Sequence, residues 1–101
     1  MPFDPITVVV ERDLKDLMPV FLEQRRKDQA AIAQALQADD FEALRKIGHG
    51  MAGGGRSYGF SIITDIGEAM VAAARARDSI ELQRLAACLK DYLGSVTVKY
   101  V

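Results

Sequence analysis

The chain contains one histidine, His49, in the run Gly48-His49-Gly50-Met51-Ala52-Gly53-Gly54-Gly55-Arg56. An unperturbed imidazole titrates at roughly pH 6.5, so near neutrality it offers a nucleophilic nitrogen. Arg45, Lys46 and Arg56 stand close to it in sequence. Phosphoryl transfer asks a protein mainly for in-line positioning and charge neutralisation, which a bare imidazole among cations can meet. Metal binding is not indicated: one histidine and one cysteine, Cys88, far apart in the chain, match no ligand spacing. A Cys–His nucleophile pair would need Cys88 beside an outward-facing His49. The apolar stripe of the last helix instead makes Cys88 a partly buried core residue.

Helix geometry decides which way His49 faces. At about 100° per residue, Leu44, Ile47, Met51 and Tyr58 all fall within roughly 40° of the direction opposite His49. These four form the core stripe. Glu42, Arg45, Gly53 and Arg56 share the face of His49, which therefore turns to water. The crowd of Gly48, Gly50, Gly53, Gly54, Gly55 and Gly59 is costly in a helix, at roughly 0.5–1 kcal/mol each relative to alanine. Either the segment is a loop, or it is a helix whose surface around His49 must stay bare for a partner. The flanking Phe41, Leu44, Ile47, Met51 and Tyr58 favour the helix. The Gly-Lys-[Ser/Thr] ending of a P-loop is absent.

The elements that hold this stretch are helical. From Glu11 to Ala38, Leu14, Leu17, Met18, Phe21, Ile32 and Leu36 recur at helical spacing. Pro19, tolerated only in a first turn, divides the segment into a short helix to about Met18 and a long one from Pro19 to about Ala38. Asp39 with Glu42 reads as a capping box for the next helix, running to about Tyr58 and closed by Gly59 as the terminating glycine. A further helix spans roughly Ser61 to Arg77, with Ile63, Ile66 and Met70 on one face. Asp78-Ser79-Ile80-Glu81 repeats the cap and opens a last helix through Leu82, Leu85, Leu89, Tyr92, Leu93 and Val96. The fold class is all-α: an antiparallel four-helix bundle with a short additional N-terminal helix. Ile6–Val10 and Val96–Val101 are β-branched; they either pair as a two-stranded flap at one end or fray.

At these residues the chain resembles the histidine-containing phosphotransfer (HPt) domains. The run from His49 to Phe60 is similar to their core motif: a histidine, an apolar residue two on, a glycine four on, small residues, and a glycine ten on. Leu14-Lys15-Asp16-Leu17-Met18-Pro19-Val20-Phe21-Leu22 resembles their Leu-x-x-Leu-x-Pro-x-Phe-Leu opening, and Ala38–Leu44 their entry to the histidine-bearing helix. The resemblance implies a phosphorelay intermediary. His49 would accept a phosphoryl group from the aspartyl phosphate of a response-regulator receiver domain and pass it to another receiver. The partner receiver would supply the Mg²⁺, and the chain would need no cofactor of its own. Receivers, and a hybrid histidine kinase, are the implied partners. They would dock across Glu42, Arg45, Lys46, Ala52, Gly53 and Arg56. One position departs from the pattern: the family's usual lysine three residues after the histidine is Ala52. Arg56 or Arg45 would have to compensate; failing that, the chain is a degenerate docking module that binds a receiver or kinase without being phosphorylated. Nothing resembles an ATP-binding kinase domain, so autonomous kinase activity is not expected.

Bulk properties fit. A length of 101 residues allows one domain, read as 1–101 with a helical part of about 11–96. A net charge of −1 recommends neither nucleic acid nor an anionic membrane as partner. A single cysteine permits no intrachain disulfide, which with the absence of a basic, apolar leader points to the cytoplasm. Met1 favours a separate protein, and a carrier that must show His49 to successive partners is expected to be a monomer. Arg25-Arg26-Lys27 reads as a solvated helix face, Asp65 and Glu68 as ordinary surface acids, and Met51 and Met70 as core filler.

Overall fold

Pro19 sets where the first long helix can begin. In the computed structural model, which describes residues 6–55 and 58–101, it occupies the first turn of helix α1, Met18–Gln37. There its missing N–H breaks no hydrogen bond. The stretch before it, Arg12–Leu17, is the short additional helix expected, wound as a 3₁₀ helix, and none of its residues is fully buried. Helices α2 (Phe41–Gly54), α3 (Ser61–Arg75) and α4 (Ser79–Ser95) complete an antiparallel four-helix bundle.

Two links share one device. Asp39 (φ 51°) and Arg77 (φ 55°) take left-handed conformations that close α1 and α3. The next N–H groups then fold back, Asp40 N to the Ala35 carbonyl at 2.9 Å and Asp78 N to the Ala73 carbonyl at 2.9 Å. The aspartate after each turn caps the following helix: Asp40 Oδ1 accepts from Ala43 N at 3.0 Å, and Asp78 Oδ1 from Glu81 N at 3.1 Å. The expected Asp39 cap is thus displaced by one residue, because Asp39 is spent terminating α1. Neither glutamate reaches back as a capping box would; Glu42 pairs with Arg45 and Glu81 with Arg84. Arg77 also lays its guanidinium 4.4 Å from the Phe41 ring centroid, tying the second link to the start of α2.

Helix α2 ends at Gly54, four residues before the expected Tyr58. The chain doubles back there, with Phe60 N donating to the Gly55 carbonyl at 2.7 Å. Gly59 adopts φ 86°, which a side chain would strain. This reversal drives Phe60 fully into the core, stacked at 5.0 Å on Phe21. Tyr58 also meets Phe21, at 5.0 Å, from outside the helix. Helix α3 likewise stops at Arg75, two residues before the expected Arg77.

The β-prone ends pair. Strand β1 (Ile6–Val10) runs parallel to β2 (Val96–Tyr100), Ile6 opposite Val96 and Val10 opposite Tyr100. A parallel pair needs a long crossover; here the whole bundle is that crossover. Val8 and Val10 send their side chains into the core, so the flap is anchored rather than frayed.

One expectation on α1 is overturned. Arg25 is only 7% exposed and Asp28 8%, whereas Arg26 and Lys27 are exposed. Phe21, Arg25, Asp28 and Ile32 follow each other at the four–three–four spacing of one helical stripe, so the pair shares the core face. Arg25 Nε lies 2.8 Å from Asp28 Oδ2, an ion pair without hydrogen-bond alignment. Its guanidinium covers the Phe21 ring at 5.1 Å, and Gln24 Nε2 donates to Asp28 Oδ1 at 3.2 Å.

Candidate functional site

Helix α2 carries the site and is held from two sides. Leu44 and Met51 are completely buried, and Ile47 is half-buried where α2 meets α1. Against α3 the approach is closer than any side chain allows. A Cβ on Gly48 would stand 2.8 Å from the Gly67 carbonyl oxygen, and one on Gly67 would stand 2.6 Å from the Gly48 oxygen. Gly48 therefore serves the packing of α2 on α3. The Thr64 hydroxyl donates to the Ala52 carbonyl at 3.4 Å, adding a polar tie at the same crossing.

His49 is exposed, on the face turned away from this contact. Around it the segment is helical and bare: a Cβ on Gly50 or Gly53 would meet nothing within 4 Å among the described residues. These two leave the helix surface low beside the imidazole. Glu42, Lys46 and Gly53 are exposed on the same side, Arg45 is half-buried, and Ala52 is half-buried toward α3. Arg56 lies outside the described residues.

The charges near His49 are not equally available. Arg45 donates twice to Glu42, Nη2 to Oε1 at 2.6 Å and Nε to Oε2 at 3.0 Å. That hydrogen-bonded guanidinium, seconded by the charge of Lys46, holds the Glu42 carboxyl below the usual carboxylate range. The same contact raises Arg45. The pair lies at the protein surface, so it sets local charge more than stability.

Asp65 and Glu68 stay on the exposed face of α3, and Cys88 is half-buried on α4, as its position on the last helix suggested. Among the described residues no cluster of three or more histidine, cysteine, aspartate or glutamate side chains is placed to hold a metal. No described helix is long and apolar enough to cross a membrane. Sequence reasoning missed Gly67 and Thr64. Gly67 did leave a signal, a lone glycine between Ile63, Ile66 and Met70 in an otherwise good helix; the hydroxyl of Thr64 left none.

Four antiparallel helices with a solvent-facing histidine midway along the second make up a histidine-bearing helical bundle. The family model of the Hpt domain matches residues 16–97. The chain belongs to the Hpt domain family. That family works in histidine phosphotransfer of two-component signalling, through contacts with response-regulator receivers and kinases. Comparison with curated proteins and with solved structures returned no match.

Proposed function

We propose that this protein is a phosphorelay intermediary in which His49 carries the phosphoryl group. The observation that supports it is the open ground around the imidazole, where Gly50 and Gly53 place no atoms beside an exposed ring. A receiver would bring the aspartyl phosphate and Mg²⁺. The acceptor nitrogen must approach the phosphorus in line, and a helix with low shoulders lets it do so. Docking runs over Glu42, Arg45, Lys46, Ala52, Gly53 and Arg56. The imidazole nitrogen attacks phosphorus, the N–P bond forms as the acyl-phosphate P–O bond breaks, and the receiver carboxylate leaves. The working unit is a monomer in the cytoplasm.

The test is incubation with phosphorylated receiver domains and intact mass at neutral pH, with His49→Ala as control. Acid-labile label on the parent and none on the variant is the expected result. A Gly53→Trp variant should fold normally and lose transfer; normal transfer would sink the close-approach account. Ala52 in the place of the family's lysine favours a second reading, a docking module that regulates a receiver or kinase by occupancy. In that case the parent binds receivers without taking label, and His49→Ala behaves like it.

A further inference from the structure

We propose that Lys27 of α1 supplies the cation that meets the phosphoryl group on His49, crossing the strip of α2 that Gly50 and Gly53 leave bare. This rests on the carrier reading above. A phosphoryl group adds between one and two negative charges near neutrality, and these need a partner close to the ring. On α2 itself no described cation is well placed. Ala52, one turn beyond His49, has no charge. Arg45 is held by two hydrogen bonds to Glu42. Lys46 follows Glu42 by four residues, and its charge already bears on that carboxylate.

The neighbouring helix offers the alternative. Helices α1 and α2 run antiparallel, and two contacts fix their register. A Cβ on Gly54 would lie 3.8 Å from Phe21 Cε1. Further along, Ala31, Gln34, Ala35 and Ala38 face Asp40, Ala43 and Ile47 across one groove. Between these points Lys27 falls level with Gly50. It shares the α1 stripe of Ala31 and Gln34, the side that borders α2, since residues three, four and seven apart lie on one helical face. On α2, Gly53 and Gly50 sit roughly 40° and 100° around from His49, toward α1. The strip of α2 between Lys27 and the imidazole is therefore formed by those two glycines, where an added Cβ would meet nothing within 4 Å among the described residues.

Lys27 is also free to act. It is exposed, and the acid one turn before it, Glu23, pairs with Arg26 at 3.7 Å. Its flexible four-carbon stem ends in three donors that suit phosphate oxygens.

Phosphoramidate, a small phosphodonor, tests this without a partner: its P–N bond breaks, the imidazole N–P bond forms and ammonia leaves. Intact mass would follow labelling of the parent, Lys27→Gln, Lys27→Arg, Lys46→Gln and, as control, Lys90→Gln on α4. Thermal melts would confirm equal folding. Lys27→Gln should label roughly tenfold more slowly, the worth of one charge-assisted hydrogen bond. Lys27→Arg should recover most of the rate, and Lys90→Gln should match the parent. Labelling of Lys27→Gln at the parent's rate, or a loss confined to Lys46→Gln, would overturn the assignment and leave the carrier reading intact. A parent that takes no label from phosphoramidate or from any receiver would overturn both.

Discussion

Helix α2 has two glycine-lined faces that ask opposite things of the same residue. On the α3 side, Gly48 meets Gly67 so closely that a Cβ would stand 2.8 Å from a backbone oxygen. On the outer side, a Cβ on Gly50 or Gly53 would meet nothing within 4 Å among the described residues. The first face uses the missing side chain to bring two backbones together, which fixes where the helix sits. The second uses it to keep the helix low, which costs helix stability and returns nothing to the fold. A residue that weakens a helix without serving its packing is best explained by what must approach it from outside.

Substitution separates the two faces. The largest effect belongs to Gly48→Leu, which has no room against the Gly67 backbone and should abolish cooperative folding, read as the loss of a sharp thermal transition. Gly48→Ala should still cost about 1–3 kcal/mol, the usual penalty of overpacking, measured by urea unfolding. Gly53→Ala should go the other way, stabilising by about 0.5–1 kcal/mol, because alanine is the better helix former and meets no neighbour. If Gly48→Ala and Gly53→Ala changed stability in the same direction, the division of α2 into a packed and an open face would fail.

The same division marks how much could be read from sequence. Periodicity and the aspartate caps located all four helices, and the wheel around His49 put the imidazole outward, as it stands. The glycine cluster was read as one feature, although only Gly50 and Gly53 do what that reading assigned. The use of Gly48 depends on Gly67, nineteen residues on, and no local pattern announces a pairing of that range. The end of α2 was misplaced because Tyr58 lies at a helical interval from Met51 yet reaches Phe21 from a turn. Arg25 was misread by composition: two basic neighbours suggested solvent, while its spacing from Phe21 and Ile32 put it on the core stripe with Asp28. Nothing in sequence settled whether the β-prone ends would pair, since their partners are ninety residues apart.

The smallest effect tests whether charge on the open face serves the site or the fold. The Glu42 carboxyl is held below its ordinary 4.5 chiefly by the Arg45 hydrogen bonds, and Glu81 on α4 is held low by Arg84 in the same way. A lowered folded-state value means the contribution is present above the unfolded value and is lost as pH falls through the folded one. Both pairs should therefore weaken only below pH 4.5. Glu42→Gln and Glu81→Gln should each flatten the acid limb of a thermal-midpoint profile slightly, and to a similar extent, as surface pairs do. Labelling by phosphoramidate at pH 7 should distinguish them. Glu81→Gln should leave the rate at the parent's value. Glu42→Gln frees Arg45 and relieves Lys46 one turn from His49, and should raise the rate roughly two- to fivefold, the range of one exposed charge pair. Equal rates for both variants would show that the charges of the open face serve the helix alone.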